Sequence, residues 1–322
     1  AAPGTGLAYG YNRAKLAWYM IDNTLFYSNN SWPDGITQKE MMRNSTRLIY
    51  EKELFPTAES DYNQPSYIYT LNLAYFPEER GPYNYDVENT VFSRGVKSNG
   101  KLADPSSRWG GIMRRVETTD FEAANIEYIT FWLMDPFTED TASNSGQLYF
   151  NIGDISEDIL RDGRKSYENG LPTSAEVKNV DTTIWGRVPN LQMLTDGFDS
   201  KDESRPFQDI GYDGMNDEDE KAFRAQDYVN KILNFYGEAS EAYRLAAEDP
   251  SSDNYHHYTG DDYDSDNSIN YSVTQRYKKY NGMEGNSPAN NDQQIGYRYP
   301  NMEDINKDNT LSEQERYYTY II

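Results

Sequence analysis

Fifty-three aspartates and glutamates face 30 lysines and arginines in this chain, a formal charge of −23 that any fold must accommodate. Acidic chains that stay disordered are poor in aromatics. Here aromatic residues make up 14% and tyrosine alone supplies 29, enough side-chain mass for a core or for two smaller ones. Two arrangements make the acid excess tolerable. It can lie on a solvated, soluble surface, or hard cations can neutralise clustered carboxylates. The same charge repels phosphate backbones and argues against nucleic-acid binding. Cysteine is absent, which removes disulfides, thiolate zinc sites and cysteine nucleophiles, and only 2 histidines are present. No stretch approaches the ~18 apolar residues of a spanning helix; the most apolar run is Ile129 to Met134. The opening Ala1-Ala2-Pro3-Gly4, without Met or an apolar leader, reads as a mature or excised piece. The lack of cysteine fits a periplasmic or cell-surface setting.

The chain divides into a mixed, Tyr-rich segment (1–82), a β-rich segment (83–195) and an acidic helical and loop segment (196–322). Arg13 to Ile21 is apolar enough for strand or helix. Thr37 and Glu40 have capping-box spacing for a short helix. Tyr67, Tyr69, Leu71, Leu73 and Tyr75 alternate at period two, a strand signal for a soluble sheet or for a barrel wall. Gly110 to Val116, Ile126 to Met134 and Gln147 to Ile152 read as strands between polar turns. Their spacing suggests a β-sandwich, and the strand pattern from Trp109 to Ile155 resembles a jelly roll of the galactose-binding type. Ser156 is placed to cap a helical turn that Gly163 ends. Ala225, Val229, Ile232, Leu233 and Tyr236 have helical spacing up to Gly237. Ala239, Ala242, Tyr243 and Ala246 repeat it up to Asp249-Pro250. The expected fold is therefore mainly β with added helices: a sandwich, a helical C-terminal part and long polar loops. No internal repeat of fixed period stands out.

The sharpest chemical signal runs from Asp304 to Glu315. Taking Asp304 as position 1, Asp304, Asn306, Asp308, Ser312 and Glu315 put oxygen side chains at positions 1, 3, 5, 9 and 12, with Leu311 at position 8. Thr310, at position 7, can offer its backbone carbonyl. This is the register of an EF-hand calcium loop, in which Ca²⁺ collects six to eight oxygens. Asn309 stands where such loops have glycine; asparagine tolerates positive φ better than most residues. The competing reading is an Asx-rich turn, with Ser312 and Glu315 capping a helix over Glu313 to Tyr320. A weaker echo places Asp209, Asp213, Asp217 and Glu220 at positions 1, 5, 9 and 12, with Gly214 at the tight turn. Its alternative is an acidic helix start, since Asp217 to Glu220 suit the positive end of a helix dipole. The adjacent His256-His257 and the acid run at Asp261, Asp262, Asp264 and Asp266 read as surface features. Asp140-Thr141-Ala142 and Asp181-Thr182-Thr183 match a short O-glycan acceptor pattern. No nucleophile-elbow, P-loop or HExxH signature is present, and carboxylate pairs have no diagnostic value among so many acids.

Seven segments occur in an order that resembles one family. They are Asn12–Asp22 (NRAKLAWYMID), Leu71–Asp86 (LNLAYFPEERGPYNYD), Ser107–Phe137 (SRWGGIMRRVETTDFEAANIEYITFWLMDPF), Gly146–Pro172 (GQLYFNIGDISEDILRDGRKSYENGLP), Gly211–Phe223 (GYDGMNDEDEKAF), Arg276–Pro288 (RYKKYNGMEGNSP) and Met302–Tyr318 (MEDINKDNTLSEQERYY). They resemble the SprA/Sov family of large Bacteroidetes cell-surface proteins. The resemblance implies part of an outer-membrane translocon of the type 9 secretion system, a single giant β-barrel also needed for gliding motility. A chain this short cannot form such a barrel alone. What is implied is a water-exposed, extracytoplasmic module with no catalytic residues, whose partners are the rest of the barrel, its accessory subunits and secreted cargo. A calcium-dependent carbohydrate-binding or adhesive module is the alternative. There Trp109, Trp132 and Trp185 could be sugar platforms, although Trp132 lies in the most apolar strand and reads as core.

Overall fold

The computed structural model describes residues 5–27, 32–58, 66–138 except 115, 117 and 119, 146–165, 180–190, 213–254, 256, 258–259, 263, 272–280, 303–306, 308–312 and 314–322. Asp209, His257, the acid run at 261–266 and the Asp140 motif lie outside them.

Strand β1 (Ala14–Tyr19) pairs antiparallel with β4 (Asn72–Arg80), Ala17 opposite Ala74 and Trp18 opposite Leu73. Short strands β2 (Ile49–Tyr50) and β3 (Tyr67–Ile68) pair in the same sense, as do β6 (Val180–Thr182) and β7 (Arg187–Pro189). A longer ribbon joins β5 (Tyr149–Asp154) to β8 (Arg316–Ile321), Ile152 opposite Tyr318. Among the described residues every sheet stops at two strands, so the expected jelly-roll sandwich is not seen there. Gly110 to Val116 and Ile126 to Met134 supply no ladder, and Trp132 is 62% exposed rather than core. Trp132 meets Phe55 edge-on and Phe131 lies against Phe150, but no second sheet covers the run. The period-two face of β3–β4 also points outward. Leu71, Leu73 and Tyr75 are exposed, while Ala74 and Phe76 turn inward.

Local rules account for the helices. The Thr37 side chain accepts from the Glu40 N–H and starts α2 (Gln38–Met41). The short helices α1 (Asn23–Phe26) and α3 (Glu51–Leu54) flank it. Helix α4 (Asp217–Phe223) runs through a π-helical turn at Ala225–Val229 into α5 (Asn230–Tyr236), which ends at Gly237 with φ +83°. Ser240 then caps α6 (Glu241–Glu248). Ser156 caps no helix; the chain from 155 to 165 is an irregular loop. Gln314 to Ile321 leaves its own loop as strand β8, where the capping-box spacing suggested a helix. Its Tyr- and Ile-rich sequence favours a pleated ribbon once β5 offers a partner.

Two cores result. One gathers Tyr83, Tyr85, Leu102, Leu160, Trp185, Tyr228 and Ile232 under Ala242 and Ala246 of α6. The other packs Ala17, Tyr19, Phe26 and Met41 around Val273 and Tyr277 of α7 (Val273–Tyr277), with Tyr19 and Tyr277 stacked at 4.2 Å. The loop after β4 is held by a fully buried ion pair. Arg108 Nη1 donates to Asp86 Oδ2 at 2.9 Å and to the Tyr11 carbonyl, while Nη2 and Nε donate to the Gly95 and Ala103 carbonyls. Ser93 donates to the other Asp86 oxygen at 2.6 Å. Burial pushes the Asp86 carboxyl up, and the bonds from Ser93 and Arg108 pull against it. Removing one member strands a buried charge. Arg108→Met is therefore expected to cost roughly 3–5 kcal/mol in urea denaturation, whereas the exposed Arg244→Met should shift the midpoint little.

Candidate cation-binding loops

The Asp304 loop folds around its own carboxylates. Asp304 Oδ1 accepts from the Asp308 N–H at 3.1 Å and Oδ2 from the Asn309 N–H at 2.9 Å. Asn306 Oδ1 accepts from the Asp308 N–H at 2.8 Å, and Asp308 Oδ1 accepts from both Thr310 N–H and Thr310 Oγ1. Asn309 takes φ +70°. The asparagine thus makes the left-handed turn that a glycine would make at position 6. Ser312 Oγ donates to the Gln314 carbonyl at 3.2 Å, and Glu315 is exposed. Because the exit is a strand, Glu315 does not fold back over the loop. The acids whose oxygens come within 4.8 Å of one another here are Asp304, Asp308 and Glu157. Glu157 is 7% exposed and arrives from a segment the spacing gave no reason to include.

The second acidic stretch converges elsewhere. Asp213 is fully buried at the head of α4, and Gly214 beside it has φ +72°. Asp213 Oδ1 accepts from the Met215 N–H, Oδ2 accepts from Ser251 Oγ at 2.6 Å, and the Asp213 N–H donates to Asp253 Oδ2. Glu220 is buried one turn into α4 and accepts from the Ser251 N–H at 3.1 Å. Asp213, Glu220 and Asp253 bring oxygens within 4.8 Å of one another, and Asp217, Glu220 and Asp249 do the same. Asp217 also lies in the acidic first turn of α4, with Asn216 as its cap. Asp249 and Asp253 belong to the turn after α6, where Asp249 Oδ1 accepts from the Asp253 N–H. Spacing within 209–220 could not point to them.

Asp308 is exposed and the bonds from Thr310 pull its carboxyl down, whereas burial raises Asp213 at the second site and Glu303 beside the first loop, where Glu303 groups with Asp158 and Asp162. Burial pushes Asp213 up to about 6, against the pull of Ser251, Met215 and Arg224. Burial, with the charges of Asp162 and Asp158, pushes Glu303 up to about 9. Such oxygen-only groups suit a hard divalent ion.

Residues 227–322 match the SprA_N family model, described as a motility related/secretion protein. Comparison with curated proteins gives no match.

The raised carboxyls fix a pH dependence. With no ion bound, folded Asp213 and Glu303 hold protons that an unfolded chain releases near pH ~4. Their stabilisation is therefore complete below that pH and is lost as pH rises toward their folded values. In chelator, the urea midpoint is expected to fall steadily between about pH 5 and about pH 8, and Glu303→Gln should flatten the upper half of that fall.

Proposed function

We propose, from the premise that this chain is a fragment of the SprA/Sov family, that it serves as a noncatalytic, calcium-stiffened module of an outer-membrane protein-secretion and motility machine. The observation that carries the calcium reading is the Asp304 loop. It closes on its own backbone N–H groups, sets Asn309 left-handed and gathers Glu157 beside Asp304 and Asp308. Asp304, Asn306 and Asp308, with Glu157, would hold the ion, and Thr310, at position 7, would add its carbonyl. The Asp213–Glu220–Asp253 group is the second candidate. Millimolar calcium outside the cytoplasm suits modules of this affinity class.

Open strand edges and outward apolar faces support the reading as part of a larger assembly. Leu73 and Tyr75 on β4, and Tyr317, Tyr318, Tyr320 and Ile321 on β8, are exposed on two-stranded ribbons among the described residues. Such edges are normally paired or covered. The remaining barrel and its accessory subunits are the proposed partners, with secreted cargo as a transient one. No helix of the described residues is long and apolar enough to cross a membrane. The acid groups are engaged by the backbone of their own loops, which suits holding an ion rather than turning over a substrate. The carbohydrate-binding alternative draws on the exposure of Trp109 and Trp132. Trp185 is no platform, being 1% exposed with its indole N–H on the Leu160 carbonyl.

Melting the fragment in calcium and in chelator tests the reading. At about a hundredfold excess over Kd, calcium should raise the midpoint by roughly 5 °C, and Asp304→Ala should remove most of the gain. An unchanged midpoint for the unmutated chain would overturn calcium stiffening, and a rise with a soluble glycan panel instead would favour the sugar module.

A further inference from the structure

The loop at 157–164, after β5, repeats three main-chain N–H to carboxylate hydrogen bonds of the Asp304 loop. Asp158 Oδ1 accepts from the Asp162 N–H at 3.0 Å and Oδ2 from the Gly163 N–H at 3.1 Å. Asp162 Oδ1 accepts from the Arg164 N–H at 2.8 Å, as Asp308 Oδ1 accepts from the Thr310 N–H at the same distance. Gly163 has φ +73°, matching +70° at Asn309. The sequences agree as well: Glu157-Asp158-Ile159-Leu160-Arg161-Asp162-Gly163 against Glu303-Asp304-Ile305-Asn306-Lys307-Asp308-Asn309. The two loops are docked, since the Glu303 N–H donates to the Lys165 carbonyl at 2.8 Å and Lys165 Nζ donates to Asn309 Oδ1 at 2.7 Å.

The glutamate that precedes each loop crosses to the other. Glu303 Oε1 accepts from the Leu160 N–H at 3.0 Å, and a Glu303 oxygen lies within 4.8 Å of Asp158 and Asp162. Glu157 accepts from the Asn306 backbone and joins Asp304 and Asp308. Leu160 and Asn306 occupy the same third position of their loops. Glu303 is fully buried, yet among the described residues its Oε2 has no hydrogen-bond partner, nor do the buried atoms Glu157 Oε2 and Asp162 Oδ2. Among the described residues, the cations of the Asp158 loop are turned elsewhere. Arg161 lies over the Tyr9 ring, Arg164 pairs with Asp181, and Lys165 goes to Asn309. Buried carboxylate oxygens without donors, facing further carboxylates, call for a positive group from outside the chain.

We propose that Asp158, Asp162 and Glu303 form a second site for a calcium-sized hard divalent cation. It is paired with the Asp304 site through crossed glutamates, so that each ion is held by both loops. Leu160 offers no side-chain oxygen at position 3, and Glu303 supplies the missing ligand. Oxygen-only ligands in an irregular loop suit calcium, whereas magnesium demands near-octahedral geometry and keeps its waters. The proposal rests on the calcium reading of the Asp304 loop, and the two can fail separately.

The test is calcium stoichiometry by equilibrium dialysis on the ion-free full chain, with magnesium as a parallel probe. Asp162→Asn and Asp308→Asn should each lower the count by one. Glu303→Gln should lower it by one in the Asp308→Asn background and by none in the Asp162→Asn background, which identifies the ion it holds. Loss with Asp308→Asn but none with Asp162→Asn would overturn the second site and leave the first standing. No loss with either would overturn both. The reverse pattern for Glu303→Gln would overturn the crossing, and tighter magnesium than calcium binding would overturn the choice of ion. Should these variants not fold, crystals of the unmutated chain soaked in a lanthanide keep the question decidable. An anomalous peak between Asp158, Asp162 and Glu303 is expected, and a peak at Asp304 alone would refute the pair.

Discussion

A carboxylate that leaves water needs a positive partner buried with it, and this requirement organises the molecule. Arg108 answers Asp86 at the heart of the first core, and three carbonyls and Ser93 complete the set. Other buried arginines serve differently. Arg13 donates to the Pro82 carbonyl and lies near the Trp109 ring, and Arg276 donates to the Asp34 and Tyr263 carbonyls. Arg224 donates to the Trp185 carbonyl with its guanidinium over Tyr85 at 4.0 Å. These planar cations fit a core made largely of tyrosine, because they satisfy ring faces and main-chain oxygens at once. The carboxylates at 157–162 and 303–308 sit beyond that arginine set, and there, on the proposed reading, an external ion would take the place of a guanidinium.

The contrast between the two acid-rich regions follows from what surrounds them. Asp213 receives Ser251 and the Met215 N–H and feels Arg224, so its carboxyl rises only to about 6. Glu303 is buried, accepts from backbone N–H groups and faces Asp162 and Asp158, and rises to about 9. Of these two acids, the one raised further is the one whose carboxyl draws no contribution from a neighbouring arginine. Protonation and ion binding relieve the same repulsion, and a bound divalent ion keeps the carboxylates charged while doing so.

Much of the local structure was legible in the sequence because its causes are local. The Thr37 cap, the Gly237 stop, the helix from Ser240 to Asp249 and the strands at 72–80 and 149–154 each follow from neighbours within a few residues, whereas 14–19 reads equally as strand or helix until its pairing with β4 decides it. The Asp304 register was legible for the same reason, since the spacing of 304, 306 and 308 already dictates a closed loop. Reading went astray where a distant partner decides. Gln314 to Tyr320 carries a helix signal, but pairing with β5 makes it a strand. Trp132 reads as core because its run is apolar, yet nothing described covers it. Glu157 and Glu303 lie one residue outside the loop patterns and act across to the other loop. The shared Glu-Asp-Ile-x-x-Asp motif was the signal for them, and it shows only when the chain is compared with itself at unequal spacing.

The loops also explain how an exposed ribbon is anchored. β5 runs directly into the Asp158 loop, and the Asp304 loop runs directly into β8. The ribbon is continuous from Tyr149 opposite Ile321 to Asp154 opposite Arg316, and the docked loops close its inner end. A two-stranded ribbon is marginal in water without a surface to pack on. This one exposes Tyr149, Tyr317, Tyr318, Tyr320 and Ile321, so its order is set at its root. There Leu160 enters the first core, and its carbonyl accepts the Trp185 indole N–H at 2.7 Å. Ions shared by both loops would tie the two strands to each other and to that core at one point. With its root tied in that way, the exposed aromatic ribbon would be held out from the first core as one paired element.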